Sequence, residues 1–351
     1  MVEMQTKQEP MPVAVIGIGR MGMHHVRTYR KLPTAKLAAV VDADAERAMD
    51  VAEEFGCHGY GTVEEMLQVH PEVRAVSVAT PTRHHPEAAR PLLEAGIACL
   101  VEKPLAATAT EARELVALAQ ARHVVLQVGH TERFNPAVRA VAAMEVTPRF
   151  MEVRRVSPMT FRSLDVGVVM DLMIHDLDIV LMLAKSPLTR VDAVGINVLG
   201  RHEDVANARL VFASGCVADI TASRLALKTE RKMRLFSEDA YVSLDYQSRG
   251  GVIIRKSANQ EALDDARQRL AGGGDLSDLD YKKLVHVEEL TMDLPEGEQD
   301  PLTAELGSFV GAVATGAKPA VDGEAGSAAV EAAERVVAAI HAHQWEGLGK
   351  L

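Results

Sequence analysis

Residues Val13–Gly22 read VAVIGIGRMG. An apolar β-forming run leads straight into Gly17, Gly19 and Gly22 at GxGxxG spacing, and helical periodicity follows. Gly17 permits a tight turn, Gly19 lets backbone approach a pyrophosphate, and Gly22 lets helix and strand pack closely; the helix N-terminus favours the anion. Arg20 and Met21 lie in the same turn and are counted as cofactor contacts with it. The next strand ends in AAVVDAD and places Asp42 twenty residues beyond Gly22. A carboxylate there accepts hydrogen bonds from an adenosine ribose and repels a 2′-phosphate, so NAD is expected over NADP. Arg47, which would offset that repulsion, is expected on the exposed face of the following helix.

Outward from this unit, short β-branched runs alternate with amphipathic stretches as far as Val128. Strands are predicted at Val13–Ile16, Leu37–Val41, Ala75–Val78, Ala98–Val101 and Val124–Val128, with helices at Ala45–Phe55, capped by Asp44, and Thr110–Arg122. That alternation predicts an α/β fold with a doubly wound parallel sheet. Open parallel sheets bind ligands at the carboxyl ends of their strands, which adds Thr80, Pro81, Glu102 and Lys103 to the cofactor edge. After Gly129 strands follow one another: Arg149–Val156, Val191–Val198, Asn207–Phe212, Cys216–Ser223 and Lys232–Phe236. They predict a mostly antiparallel sheet, interrupted by a helix at Val168–Leu183 and closed by one at Ala325–His343. Gln260–Ser277 reads as an exposed insertion. The expected organisation is a flexible tail over 1–10, an NAD-binding Rossmann domain over 11–130, and an α+β domain over 131–351.

The 351 residues carry 49 acidic and 38 basic side chains, a formal charge of −11. Nothing in that balance resembles the basic face that neutralises a phosphate backbone, so a nucleic-acid partner is excluded. No stretch approaches the roughly 20 apolar residues that span a bilayer, and MVEMQTKQEPM at the start lacks an apolar core, so no membrane partner and a cytoplasmic location are expected. Cys57, Cys99 and Cys216 are scattered without CxxC spacing; neither a disulfide framework nor a metal site is expected.

Two further stretches carry chemistry. VEKPL brings Lys103 out at the sheet edge, and DVGVVMDLMIHDLD sets Asp171 and His175 four residues apart on one helical face. Oxidising a secondary alcohol requires a proton acceptor as hydride leaves carbon, and an imidazole with a pKa near ~6.5 suits that task. Asp171 then orients the ring or stabilises its cation. Lys103, with a reference pKa of about 10.4, stays protonated and polarises the oxygen, or becomes the base itself if burial lowers its pKa. Both assignments stay open.

Taken together, GIGRMG, ATPTRHH, VEKPL and the Asp171/His175 helix resemble the Gfo/Idh/MocA family of oxidoreductases over nearly the whole chain. The resemblance implies a Rossmann domain followed by an open-faced sheet domain, oxidation or reduction of sugars and cyclitols with NAD or NADP, and Lys103, Asp171 and His175 as the active-site motif. It also implies a cis peptide before Pro104 and a structural or cofactor-side role for His85. Thr82 departs from the family's Thr-Pro-Asn pattern. A finer resemblance, in GHTERFNPAVRA, DVGVVMDLMIHDLDIVL, VANARL and EDAYVSLDY, is to the branch that oxidises C3 of UDP-N-acetylglucosamine. It implies a 3-keto nucleotide sugar and a downstream aminotransferase, on the way to a lipid A diamino sugar. Such a substrate needs cations for its diphosphate, and Arg133, Arg155, Arg162, Arg224, Lys228 and Arg231 are available. Arg133, Asn135 and Arg162, with Asp171 and His175, are the substrate-binding candidates. The family's open sheet faces pair between subunits, which implies a homodimer or homotetramer. The alternatives are another sugar or an inositol as substrate, or a non-catalytic NAD sensor, against which the Lys/Asp/His set speaks.

Overall fold

The computed structural model describes residues 9–144, 146–160, 166–248, 250–256, 260–274, 277, 285–291 and 300–344. The chain divides into two compact units, Met1–Phe134 with Leu294–Arg335, and Asn135–Asp293 with Val336–Leu351.

The first unit holds six parallel strands: β1 (Met11–Ile16), β2 (Ala35–Val41), β3 (His58–Tyr60), β4 (Ala75–Val78), β5 (Ala98–Glu102) and β6 (Leu126–Gly129). Their order across the sheet is β3-β2-β1-β4-β5-β6. Val13, Val15, Val40, Val76 and Leu100 are fully buried, as expected of strands covered on both faces. The helices between them are α1 (Arg20–Lys31), α2 (Ala45–Phe55), α3 (Val63–Val69), α4 (His85–Glu94) and α5 (Ala109–Arg122). Local chemistry sets their ends. Asp44 accepts from Arg47 N at the start of α2, Gly56 closes it at φ +66°, and Thr108 with Glu111 forms a reciprocal capping box on α5.

The order reverses between β1 and β4, so their carboxyl ends, carrying Gly17 and Thr80, flank the crevice where such sheets take ligands. Helix α9 (Pro301–Thr315) also belongs here, because its Leu306, Phe309 and Val310 are buried in one apolar cluster with Val26 and Tyr29 of α1. The division therefore differs from a single boundary at 130/131. The final helix, α10 (Gly323–Ala342), begins in this unit and passes out of it after Arg335.

The second unit opens with α6 (Pro136–Ala143) and contains an eight-stranded sheet. Its strands are β7 (Phe150–Val156), β8 (Leu188–Ile196), β9 (Val205–Phe212), β10 (Val217–Ser223), β11 (Glu230–Phe236), β12 (Ala240–Asp245), β13 (Gly250–Lys256) and β14 (Val285–Thr291). The order is β14-β13-β12-β11-β7-β10-β9-β8, antiparallel except for the β7/β10 pair. Along β7 the buried positions are Met151, Val153 and Arg155, while Glu152 and Arg154 face outward. Helix α7 (Ile174–Ala184) packs against β7 and β10. The outward face carries Glu152, Arg154, Lys232 and Arg234 beside a row of rings, Phe150, Phe236 and Tyr241, with successive centroids 5.6 and 5.0 Å apart. Where an exposed insertion is predicted, the chain forms helix α8 (Gln260–Ala271), exposed along most of its described side chains. No helix among the described residues is long and apolar enough to cross a membrane.

Candidate functional site

The glycine turn is built as its spacing requires. Gly17 donates its N–H to Val41 O at 2.8 Å and sits at φ +80°, and a Cβ built on it would lie 2.6 Å from Thr80 N. A Cβ on Gly22 would run into the carbonyl oxygen of Gly17. At Gly19, by contrast, a Cβ would meet nothing within 4 Å. Gly19 is the N-cap of α1, has no side chain to satisfy the first N–H groups, and is followed by no acidic residue in the first turn. An anion is thus favoured at an open position where backbone donors converge. Arg20 is exposed and Met21 half-buried in that turn.

Asp42 is held against this loop. Its carboxylate accepts Ile18 N at 2.9 Å and Asp44 N at 3.0 Å. Arg47 does not simply project into solvent: its guanidinium reaches back to Asp42 and Asp44, at 3.2 Å from each. On the other side of Gly17, the Thr80 hydroxyl is buried and has no hydrogen-bond partner. The neighbouring Pro81 is exposed. A glycine cradle, an uncapped helix start, a ribose-height carboxylate and an orphaned hydroxyl on one sheet edge fit a dinucleotide.

Behind this edge lies a polar network. Glu102 Oε1 is 2.9 Å from His25 Nε2, both residues being buried, and Glu102 Oε2 accepts Lys103 N at 3.3 Å. Burial pushes the Glu102 carboxyl up; the hydrogen bond and charge of His25, then Lys103 and His85, outweigh it and hold it below the usual carboxylate range. The Lys103–Pro104 peptide is cis. His85 ties this segment to the Thr80 loop, with Nδ1 at 2.9 Å from Pro104 O and Nε2 at 2.9 Å from Thr80 O. A neutral imidazole has one N–H and donates to one carbonyl at a time. Burial, the largest influence, pulls the His85 pKa down against both carbonyls, which favour the charged ring.

A cleft of about 590 Å³ opens at the opposite, amino-terminal edge of the sheet, among Arg74, Ile97, His123 and Val125. It touches none of the predicted site residues.

In the second unit, Asp171 and His175 are half-buried on one helical segment. The segment starts with a π-helical turn, Val169–Met173, in which Ile174 N–H reaches back five residues to Val169 O, and continues as α7. Such turns concentrate at functional sites. Asn135 caps α6, its side-chain oxygen accepting Ala137 N at 3.0 Å. Arg133 lies in the 3₁₀ turn Thr131–Phe134 of the first unit, while Arg162 falls outside the described residues. Among the described residues no group of three or more His, Cys, Asp or Glu side chains is placed to hold a metal.

Two arginines offered for a diphosphate are engaged elsewhere. Arg155 makes a bidentate pair with Asp176, at 2.7 and 2.9 Å, and Arg224 pairs with Asp204 at 2.7 Å. All four side chains are buried, so these guanidiniums are structural and not anion receptors. Burial pushes Asp204 up, but the N–H groups of Leu199, Val198 and Gly200 and the Arg224 guanidinium hold it well below the usual carboxylate range. Lys228 and Arg231 remain exposed. The sequence reading missed His25, Asp176, Glu203 and Asp204. A signal existed for the arginines: Arg155 continues the buried parity of Met151 and Val153, and Arg224 that of Ala218, Ile220 and Ala222.

Residues 11–130 match the model of an oxidoreductase family with an NAD-binding Rossmann fold, and residues 141–243 match the GFO/IDH/MocA C-terminal domain. The chain is 35% identical to a UDP-N-acetylglucosamine 3-dehydrogenase of Acidithiobacillus ferrooxidans over 95% of its length and 98% of the relative's. The chain belongs to the Gfo/Idh/MocA family of oxidoreductases. Residues 11–130 of its first unit are the family's NAD-binding Rossmann domain. The solved structure of the Acidithiobacillus protein superposes with a TM-score of 0.83, covering 95% of this chain and 99% of that one. A scyllo-inositol 2-dehydrogenase (NAD(+)) of Bacillus subtilis is 31% identical over 60% of the chain and 66% of its own length. Levoglucosan dehydrogenase in complex with NADH, 18% identical with a TM-score of 0.78 over 95% of this chain and 97% of that one, shares the fold.

Proposed function

We propose that this oxidoreductase converts the C3 hydroxyl of UDP-N-acetylglucosamine to the ketone with NAD. The observation that carries the reading is the end-to-end similarity to the Acidithiobacillus enzyme, 35% identity over 95% of one chain and 98% of the other. Bound NAD supplies the hydride acceptor. The chain must then hold the alcohol, take its proton and stabilise charge on the oxygen as the C–H and O–H bonds break and C=O forms. His175 is the first choice as proton acceptor, with Asp171 one turn earlier favouring the imidazolium, and Lys103 as an ammonium polarising the hydroxyl oxygen. The same residues also permit Lys103 as base, with His175 as the relay. Arg133, Asn135 and Arg162 are assigned to the substrate.

Asp42 supports NAD over NADP, since a carboxylate at that position disfavours a 2′-phosphate. The 3-keto product is a substrate for an aminotransferase that installs an amine at the same carbon, toward a lipid A diamino sugar, in the cytoplasm. A homodimer or homotetramer is proposed through the outward sheet face, whose ring row and mixed charges suit a second copy.

The test is incubation of the purified protein with UDP-N-acetylglucosamine and NAD or NADP, following reduced-cofactor absorbance and trapping the ketone for mass spectrometry. A 3-ketone formed with NAD, and absent with Lys103→Ala and His175→Ala, is the expected result. Folded protein that binds NAD but makes no ketone refutes the nucleotide-sugar assignment. Turnover on a free sugar or inositol instead establishes the other substrate class, and turnover on nothing in that panel favours a sensor.

A further inference from the structure

The segment that bears Asp171 and His175 is fixed at both ends by buried or half-buried charge. At its start, Val168 N donates to Glu203 O at 2.9 Å and Val169 N donates to Glu203 Oε1 at 3.2 Å. Glu203 lies in the loop between β8 and β9, 34 residues away from Val169. Gly167 makes this possible: a Cβ at that position would occupy the space of the Glu203 carboxylate. Arg224 holds the adjoining backbone through Val166 O at 3.0 Å, and is itself anchored by Asp204. At the other end, Asp176, next to His175, is clamped by Arg155 of β7.

Between the two anchors lies the π-helical turn. In a regular α-helix, residues four apart are offset by about 40° around the axis. A wider turn rotates the chain less per residue, so the turn changes the angle at which Asp171 and His175 stand around the axis. A wide turn is also the less stable helical form and persists where its surroundings hold it. Glu203 supplies both a carbonyl and a carboxylate to the N–H groups that start the turn, which a helix N-terminus otherwise leaves unsatisfied.

We propose that Glu203, seated against Gly167 and opposed by the Arg155–Asp176 clamp, is a positioning residue that holds the π-helical turn and thereby aligns Asp171 with His175. The inference rests on the reading of Asp171 and His175 as the proton-handling pair. Its distinctive consequence is that two chemically unrelated substitutions act alike. Glu203→Ala removes the carboxylate, while Gly167→Ala leaves every charge in place and pushes the carboxylate off Val169 N–H. Glu203→Gln keeps an acceptor oxygen and preserves the cap.

The experiment uses the full chain with two readouts. Amide hydrogen exchange, read without substrate, is expected to be at least tenfold faster across residues 168–174 in Glu203→Ala and Gly167→Ala and unchanged in Glu203→Gln. Kinetics, with whichever substrate the wild type turns over in a panel of nucleotide sugars, sugars and inositols, are expected to show kcat reduced about tenfold or more by the two alanine variants. KM and NADH affinity stay within twofold and Glu203→Gln behaves as wild type. Unchanged exchange in Glu203→Ala overturns the inference whether or not a substrate is known. Faster exchange with unchanged kcat overturns it too, since the turn then does not position the pair. A wild type inactive on the whole panel refutes the proposed function, and the exchange readout still decides the cap.

Discussion

Gly17 and Gly19 stand two residues apart in one turn, yet the structure assigns them opposite tolerances. Gly17→Ala would place a methyl carbon 2.6 Å from Thr80 N and 2.9 Å from Ala79 C, and would do so at φ +80°. Both obstructing atoms are backbone, so no rotamer change relieves the clash; β1 or the Thr80 loop must shift. Holding a non-glycine residue at positive φ costs roughly 1–3 kcal/mol, and overpacking a well-filled site typically costs about 1–3 kcal/mol more. A destabilisation of about 2–6 kcal/mol corresponds to a fall in Tm of very roughly 5–20 °C for a domain of this size. Gly19→Ala meets nothing within 4 Å, and Gly19 has an ordinary φ of −63°, so its fold is undisturbed and the less flexible unfolded chain favours it by about 0.4–1 kcal/mol. The open position at Gly19 is where a pyrophosphate would approach the backbone, and a methyl group there obstructs it. Thermal unfolding and NADH fluorescence titration separate the two effects. Gly17→Ala is expected to lose stability and NADH binding together, and Gly19→Ala to melt at or slightly above wild type while binding NADH at least tenfold more weakly. A Gly19→Ala protein that binds NADH within twofold of wild type refutes the placement of the cofactor on this loop.

Asp42→Ala removes the carboxylate and leaves the Arg47 guanidinium, now 3.2 Å from it, on the same edge; the ratio of NAD to NADP efficiency is expected to fall at least tenfold, and an unchanged ratio excludes Asp42 as the discriminator. Asp204→Asn probes the depressed carboxyl. A folded-state pKa below the unfolded value of about 3.9 gives stability that is present above that pH and lost as pH falls toward the folded value. The wild-type advantage in urea unfolding should therefore be full at pH 7 and shrink at pH 3, and a gap independent of pH argues that Asp204 acts by shape alone. Arg155→Ala and Asp176→Ala should each cost about 3–5 kcal/mol by stranding a buried charge, while the double variant costs less than their sum; additive losses in a double-mutant cycle would show that the pair is not coupled.

The cofactor edge was legible because its information is local. Glycines at fixed spacing after an apolar strand, a carboxylate at the end of the next strand and Asp44 before a periodic stretch are read from neighbours in sequence, and each lies in the structure where such patterns place it. Helix α2 is predicted with its observed limits, Ala45–Phe55, for the same reason. Strand β3 has three residues, too few for periodicity to register. Strands β12 to β14 lie beyond the last predicted strand, and β13 opens on Gly250 and Gly251, which weaken a strand signal. The return of α9 to the first unit depends on Leu306 and Phe309 meeting Val26 and Tyr29, a contact no local pattern encodes. His25 and Glu102 are 77 residues apart and Arg155 and Asp176 are 21 apart. A motif search sees an arginine as a cation in waiting; only strand parity tells that Arg155 points inward.

The two units consequently specify their chemistry by different means. In the Rossmann unit the decisive residues are those without side chains, since Gly17 and Gly22 allow backbone to approach backbone, and a single carboxylate, Asp42, braces the loop through Ile18 N–H. In the second unit the segment with Asp171 and His175 is held by Arg155–Asp176, Arg224–Asp204 and Glu203. Buried ion pairs are a poor source of stability, because desolvation cancels most of the attraction and apolar residues of similar volume do as well or better. What they add is direction: a bidentate guanidinium fixes its partner in angle as well as distance, where an apolar contact tolerates sliding. That bidentate pair and the buried Arg224–Asp204 pair, flanking a single π-helical turn, are therefore better explained by the need to hold one geometry than by the need to hold the domain together. Loss of the Glu203 cap should accordingly be felt in turnover before it is felt in folding.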